Sequence, residues 1–442
     1  MKFYKITLYL IILASILPIF LFIDFPDYSA ISDKSLANDL YIGIFASIIG
    51  LVGGILLLWL VILGNRFIDK VIPDLIWVNS LHKKIGKYGY LFILMHPLLT
   101  IYSYGENLLY LFLPNELTLN QTEFETHVAI GRIAFYTLTF IALTSIFLRK
   151  KLSYRLWKRM HFLSYIIFPL IFIHAPEIGS LLNADKSLML YWDLLALIFA
   201  ITFIFKILFH FGLFRSKYRL VEVKEITHDT KEFVFEPVNT PILPKMGQYI
   251  YIQSDEIGEG HPFTVARLDK QTKKLSLAIK TSGDFTRKLL KLNVGEIVLL
   301  DGAYGVFTQE DSIQGKEDVY IAGGIGITPF LDNLRHCSDE KHLFFGNKTV
   351  NDIPYSEELD KILGERITHV LSNQSSEELE SLGTKFKSGY ISSKILKDYL
   401  KNDLLAYNFY ICGPPVMMKF VEAELKNSGV SSKQIFMERF SI

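Results

Sequence analysis

The sequence predicts a two-part molecule: six membrane-spanning helices, then a soluble half that joins a small antiparallel β-barrel to an open parallel α/β sheet. Three observations carry this. Up to about residue 215 the chain is apolar and sparsely charged, broken into runs close to the length a bilayer needs. After Lys217, short alternating strands separated by turn residues give way near Lys316 to strands alternating with helices. The composition agrees, with 442 residues, 50% hydrophobic, 14% aromatic and a formal net charge of +1. That length accommodates two or three domains, and the near-zero charge speaks against nucleic-acid binding, which favours a basic excess.

The apolar spans run over 4–23, 41–63, 82–104, 128–148, 160–176 and 188–212. The first, apolar from Ile6 to Ile23, is too long for a signal-peptide core and lacks a small-residue cleavage site, so a retained helix is expected. Loop charges orient the bundle. "GNRFIDKV", "RKKLSYRLWKRMH" and "FRSKYR", after spans two, four and six, are basic. "DFPDYSAISDKSLAND", "YGENLLYLFLPNELTLNQTEFE" and "APEIGSLLNADKS" are neutral to acidic. Lys and Arg gather on the cytoplasmic side, which places the N-terminus and the soluble half inside a multi-pass cell-membrane protein. The two cysteines, Cys337 and Cys412, both lie in the soluble half and suggest a reducing compartment rather than a disulfide framework.

Spans three and five each carry two histidines, His82 with His96 and His161 with His174. Ionisable side chains at membrane depth are costly and need partners. Both spans run from inside to outside, so His82 and His161 share an inner level, and His96 and His174 an outer one. The levels are roughly 20 Å apart at 1.5 Å per helical residue. One metal ion cannot use all four, because metal–imidazole bonds are about 2 Å long. Two histidines per level, on different helices, suit a haem iron with an imidazole on each side. Helical phase divides on the point. Fourteen residues return to within about 40° of one face, whereas thirteen leave a gap of about 140°. Pro169 lies inside that second interval and offers a kink. Hydrogen bonding to neighbouring helices is an equal account of these histidines. Likewise Lys83, Lys84, Lys87, Arg155, Lys158 and Arg159, near the inner level, suit either haem propionates or plain positive-inside topology.

In the soluble half, "RLVEVKEIT", "KEFVFEPV", "GQYIYIQS" and "KLSLAIKT" read as barrel strands between Tyr218 and Gln309. "HPFT" (His261, Pro262, Phe263, Thr264) is expected to end a strand of that barrel. "SGDFTRKLL" sets Gly283, Asp284, Phe285 and Thr286 ahead of a helix, an arrangement that suits an anion. "DGAYGVF" provides two glycines at a close turn. "YIAGGIGITPF" follows a strand and opens a helix, with Gly323, Gly324 and Gly326 placed to let a pyrophosphate approach the backbone. "YICGPP" is expected to follow the last strand with a thiol and two prolines, at the edge where open α/β sheets bind ligands. Each motif alone is weak, and Cys412 alone reads as a small buried hydrophobe.

Their order along one chain, "HPFT", "GDFT", "GAYGVF", "GGIGITPF", "CGPP" and the aromatic in "FMERF", resembles the ferredoxin–NADP reductase family. With the histidine spacing ahead of it, nearly the whole chain resembles the NADPH oxidase and ferric reductase family, a bacterial-type flavocytochrome b. The resemblance implies an oxidoreductase binding FAD, two b-type haems, and NADPH or NADH. Its domains would be 1–215 (haem-binding membrane bundle), 216–313 (FAD-binding barrel) and 314–442 (nucleotide-binding α/β domain). It implies His82, His96, His161 and His174 as haem ligands. His261 to Thr264 would cradle the flavin, and Gly283 to Thr286 would meet its pyrophosphate. Gly323, Gly324, Gly326, Thr328 and Pro329 would hold the nicotinamide nucleotide's phosphates. Cys412, Gly413 and Pro414 would flank the nicotinamide, and Phe440 would stack near the isoalloxazine. Ser441 and Ile442 follow that aromatic, a departure from a strictly terminal one.

Two further departures bear on substrate. Family members selective for NADPH commonly offer arginines to the 2′-phosphate, where this chain offers Lys348 and, further on, Asn373. Superoxide-producing relatives often place a histidine one turn past the outer ligand, where this chain has Thr100. Arg132, near the outer end of span four, suits an anion or simple snorkelling. Molecular oxygen is the expected acceptor, with a ferric or cupric chelate as the alternative. A different class, a membrane sensor that binds nucleotide for regulation, would need neither "HPFT" nor flavin. With no regulatory extension or calcium-binding loop evident, constitutive activity without an obligate protein partner is expected.

Overall fold

Long apolar runs become long helices, and polar caps decide where they begin. The computed structural model describes residues 3–23, 25, 27–72, 74–111, 122–253, 260–307, 313, 316–336, 341–400 and 403–438. They form two units, Met1–Leu208 and Phe209–Ile442. In the first, α1 spans Phe3–Phe22 and α2 spans Lys34–Leu63. The Asp33 carboxylate accepts the Ser35 and Leu36 amides, so α2 starts seven residues ahead of its apolar run. Asp74 does the same for α3, Leu75–Ser103, by accepting the Trp77 amide at 3.0 Å. α4, Glu123–Leu143, opens on a capping box of Thr122 and Glu125 and runs on through a π-turn, Thr144–Leu148. Then come α5 (Tyr154–Phe162), α6 (Ser164–Ile178) and α7 (Lys186–His210).

Among the described residues five helices are long and apolar enough to cross a membrane by length and composition alone. The remaining expected span is α3, one unbroken helix of 29 residues in which Lys83, Lys84, Lys87 and both histidines lower the apolarity. The fifth span is interrupted, though not at Pro169. The Leu163 amide turns back to the Met160 carbonyl at 3.1 Å, and the break between α5 and α6 falls there, between His161 and His174. α2 is the buried axis, with 67% of its most apolar window inside the bundle, against 17% for α1. Exposed apolar side chains such as Leu13, Ile166, Ile173, Leu190 and Leu197 give the outer helices a lipid-compatible surface.

In the second unit, β1 (Ser216–Thr227), β2 (Thr230–Pro237), β3 (Tyr249–Gln253), β4 (His261–Leu268), β5 (Leu275–Lys280) and β6 (Ile297–Tyr304) close an antiparallel barrel in the order β1-β2-β5-β4-β3-β6. Helix α8, Asp284–Leu289, lies between β5 and β6. A parallel sheet follows, ordered β10-β9-β8-β7-β11-β12. Its strands are β7 (Glu317–Gly323), β8 (His342–Asn347), β9 (Ile367–Leu371), β10 (Phe386–Ser388), β11 (Tyr407–Cys412) and β12 (Ile435–Glu438). Helices α9 (Thr328–His336), α10 (Ser356–Leu363), α11 (Ser393–Tyr399) and α12 (Pro415–Asn427) connect them. Tyr320 and Ala322 of β7 pack into one core and Val319 and Ile321 into another. Both faces of the sheet are therefore covered, as a parallel sheet requires.

Candidate functional site

The inner histidines meet. The rings of His82 on α3 and His161 on α5 have centroids 6.3 Å apart, inclined at 51°. Two metal–nitrogen bonds of about 2 Å plus the two ring radii would span a gap of that size. His82 Nδ1 is buried without a hydrogen bond of regular geometry, and the backbone of Leu60 on α2 is the polar group that acts on this ring. His161 stacks on Trp157, centroids 4.9 Å apart, and its Nδ1 lies 3.3 Å from the Ser145 hydroxyl oxygen. That oxygen also accepts the Trp157 indole N–H at 3.3 Å.

The outer histidines are held differently. His96 gives its Nδ1 proton to the Ala46 carbonyl of α2, and His174 gives its own to the His127 carbonyl of α4, both at 2.8 Å. A carbonyl can only accept, so both rings carry the proton on Nδ1 and leave Nε2 with a lone pair. This is the form in which an imidazole binds metal. No cluster of three or more His, Cys, Asp or Glu gathers among the described residues, which leaves paired imidazoles as the metal-binding pattern available.

Sequence reasoning missed the residues that brace these rings. Ser145 sits in the π-turn, a feature frequent at functional sites. Its position in an apolar span was a signal, whereas the Ala46 and His127 carbonyls have none. Lys206 on α7, which donates to the Gly64 carbonyl at 3.0 Å, is a cation that the loop-based reading passed over. The cations it did single out, Lys83, Lys84, Lys87, Arg155, Lys158 and Arg159, are exposed. Thr100 spends its hydroxyl on the His96 carbonyl at 2.8 Å, and Arg132 lies 4.2 Å over the Tyr110 ring.

In the barrel, two motifs separated in sequence come together. His261 stacks on Phe285 with ring centroids 3.7 Å apart, and Phe263 lies 6.3 Å from the same ring. The "HPFT" motif opens β4 rather than ending a strand, and Pro262 and Thr264 are paired with Tyr251 and Tyr249 of β3. The Thr286 hydroxyl oxygen accepts the Ser282 and Gly283 amides, both at 3.0 Å, and so fixes the loop that carries Asp284. Asp284 itself pairs with Arg287 at 2.6 Å.

The glycine loop and the "CGPP" loop are packed backbone to backbone. A Cβ on Gly326 would stand 2.4 Å from the Cys412 carbonyl oxygen, and one on Gly323 2.8 Å from Pro414 Cδ. One on Gly413 would stand 3.0 Å from Gly323 Cα. These three glycines thus serve loop–loop contact. Gly324 differs: its φ is +53°, and a Cβ there would meet nothing within 4 Å, so this is the glycine whose backbone a ligand can approach. Thr328 bonds the Ile325 carbonyl at 3.1 Å, and Pro329 is buried beside it. Cys412 ends β11 and is fully buried, and since β12 comes after it the motif does not follow the last strand. Burial, and after it the Glu438 carboxylate across the β11–β12 pair, pushes its thiol well above the ordinary value. Lys348 is exposed past the end of β8, and its carbonyl accepts the Asn373 amide at 2.9 Å. Gly323, Cys412 and Lys348 therefore mark one carboxyl edge of the sheet. Phe440, expected near the flavin, lies outside the described residues, as does Cys337.

Three family models match the chain. They are a ferric reductase-like transmembrane component over residues 49–172, an FAD-binding domain over 216–328 and an oxidoreductase NAD-binding domain over 320–423. The chain is 30% identical over 239 residues to the sulfhydrogenase 2 subunit gamma of Pyrococcus furiosus, covering 50% of this chain and 81% of that one. It is 27% identical over 240 residues to NADH–cytochrome b5 reductase 1 of Arabidopsis thaliana, covering 50% and 83%. A solved ferredoxin NADP+ reductase from Neisseria gonorrhoeae with bound FAD and NADP overlaps 51% of this chain and 99% of its own, with 21% identity and a TM-score of 0.45.

Proposed function

The chain belongs to the NADPH oxidase and ferric reductase family, and from that membership we propose an electron path across the membrane ending on molecular oxygen. It is a membrane-associated, NAD(P)H-dependent flavin oxidoreductase with a ferric reductase-like domain. The observation that carries the proposal is the meeting of His82 and His161, rings 6.3 Å apart, with His96 and His174 further along the same two spans, each bonded through Nδ1 to a carbonyl.

On this reading residues 1–215 bind two b-type haems through His82 with His161 and His96 with His174. Residues 216–313 bind FAD, and 314–442 bind NADPH or NADH. Bound FAD would take electrons as a pair and release them singly, and bound haem would carry them one at a time. The protein's own part is positioning. The Ala46 and His127 carbonyls fix the tautomer of the outer rings, and Ser145 and Trp157 brace His161. His261, Pro262, Phe263 and Thr264 offer a wall for the flavin, Gly283 to Thr286 a turn for its pyrophosphate, and Gly324 an open backbone for the nucleotide. Cys412, Gly413 and Pro414 would flank the nicotinamide and Phe440 the flavin ring. The basic loops support a cytoplasmic reductase half and delivery of electrons outward.

Purified full-length protein should show a sharp Soret band with resolved α and β bands on reduction. With NAD(P)H it should reduce cytochrome c in a superoxide dismutase-sensitive way. A protein colourless near 400–430 nm despite ample haem supply would remove the haem reading. The runner-up, ferric chelate reduction, is favoured by Thr100, which is engaged with its own helix at 2.8 Å where a further histidine is often found. Dismutase-insensitive reduction of a ferric chelate under argon, with little superoxide in air, would establish it over oxygen.

A further inference from the structure

The two outer histidines, on different helices, meet their neighbouring helices in the same way. Ala46 on α2 accepts from His96 and His127 on α4 accepts from His174, each at 2.8 Å. Four residues after each acceptor stands a glycine, Gly50 after Ala46 and Gly131 after His127. A Cβ on Gly50 would lie 2.8 Å from His96 Nδ1 and 3.0 Å from its Cε1. One on Gly131 would lie 2.2 Å from His174 Cε1 and 2.3 Å from its Nδ1. Favourable contacts between carbon atoms begin near about 3.5 Å, so neither ring leaves room for a methyl group. Both glycines are interior residues of α2 and α4, where glycine weakens a helix, and neither has the positive φ that would call for it.

We propose that Gly50 and Gly131 are positioning residues for the outer haem ligands. Each opens a notch that lets an imidazole come close enough to give its Nδ1 proton to the carbonyl one turn earlier, leaving Nε2 for iron. This rests on the haem reading above. The inner pair differs in clearance. Leu60 of α2 and Gly64 at its end repeat the four-residue spacing beside His82, but a Cβ on Gly64 would keep 3.9 Å from that ring, and His161 meets a serine hydroxyl rather than a carbonyl. A methyl group at either notch displaces the ring, stretches the Nδ1–H···O bond and makes the imidazole a weaker donor. The effect therefore belongs to the outer site alone.

The test compares full-length wild type, Gly50→Ala, Gly131→Ala and Gly53→Ala. Gly53 is in α2 too, but its Cβ would meet the flexible end of Ile93, at 2.7 Å, and no histidine. Haem is counted per chain, the potentials are titrated, and low-spin ferric EPR signals are recorded. Wild type without haem would sink the haem reading itself and is told apart at once. The expected result is that Gly50→Ala and Gly131→Ala keep one component unchanged, while the other is lost or titrates at a raised potential with a moved EPR signal. Gly131→Ala should be the more severe, and Gly53→Ala should match wild type. The proposal is overturned if both glycine variants keep two unshifted components. It is equally overturned if they lose both haems together, or fail to accumulate where Gly53→Ala accumulates, since those results mark helix packing alone.

Discussion

At the scale of single residues, the chemistry of Cys412 is decided by its surroundings. A cysteine in a "CGPP" loop next to a nucleotide site invites the expectation of a reactive thiolate. The side chain is fully buried, and burial together with the Glu438 carboxylate raises its pKa well above the ordinary value. The thiol therefore stays protonated at neutral pH, and the thiolate is the nucleophile. On the proposed function its part is to shape a wall with Gly413 and Pro414. Iodoacetamide at pH 8 should leave the Cys412 peptide unmodified in the native protein and label it after denaturation, as read by peptide mass mapping. Stoichiometric labelling of the native protein would defeat this. Burial of this kind is legible in the strand pattern "NFYIC", but its electrostatic partner is not, because Glu438 arrives from β12, twenty-six residues further on.

At the scale of elements, one ion-pair cluster ties the barrel to the nucleotide sheet inside the second unit. Arg335 on α9 bonds Glu358 on α10 through Nε at 2.6 Å and Nη2 at 3.0 Å, and also donates to the Ala266 carbonyl of β4. Arg267 of β4 reaches Glu358 at 3.3 Å. The Arg335 hydrogen bond holds the Glu358 carboxyl below its ordinary value of 4.5. Because the folded pKa is depressed, the stabilisation is fully present above pH 4.5 and lost as pH falls through the folded value. Glu358→Gln should cost about 1–2 kcal/mol at pH 7, a partly exposed pair being worth less than a buried one. At roughly 2–4 °C per kcal/mol, flavin release on heating should come several degrees earlier than in wild type at pH 7. The difference should close as pH falls below 4.5; an equal difference at pH 7 and pH 4 would contradict the assignment. None of these partners announced itself in the sequence, since the cluster joins three elements through chance-looking charges. The elements themselves were readable. Alternation marked the barrel, apolar runs marked the helices, and "GGIGITPF" marked the β7–α9 turn. Local signals compete in two places. Lysines and histidines dilute α3 without ending it, and the break after α5 is set by a backbone turn at Leu163 rather than by the conspicuous Pro169.

At the scale of the whole molecule, coenzyme choice follows from how little positive charge the chain commits to the 2′-phosphate. With 46 Lys and Arg against 45 Asp and Glu, the net charge of the whole chain does not by itself favour the more anionic coenzyme. On the proposed function the discrimination comes from contacts at the sheet's carboxyl edge. There Lys348 stands exposed past β8, with Asn373 bonded to its backbone and presenting no charge. A lysine is a hydrated point charge without the bidentate fork of arginine. Two unit charges about 4 Å apart in water attract by about 1 kcal/mol, and a doubly charged phosphate by about twice that before screening. A hundredfold preference requires about 2.7 kcal/mol, so one exposed lysine falls short of it. Steady-state kcat/KM for NADPH and NADH should therefore differ by less than about a hundredfold. Lys348→Ala should lower kcat/KM for NADPH by about three- to tenfold, which corresponds to about 0.6–1.4 kcal/mol, and leave the NADH value within error. A wild-type preference above a hundredfold, or an equal loss with both coenzymes in the variant, would show that the 2′-phosphate is read by groups other than Lys348.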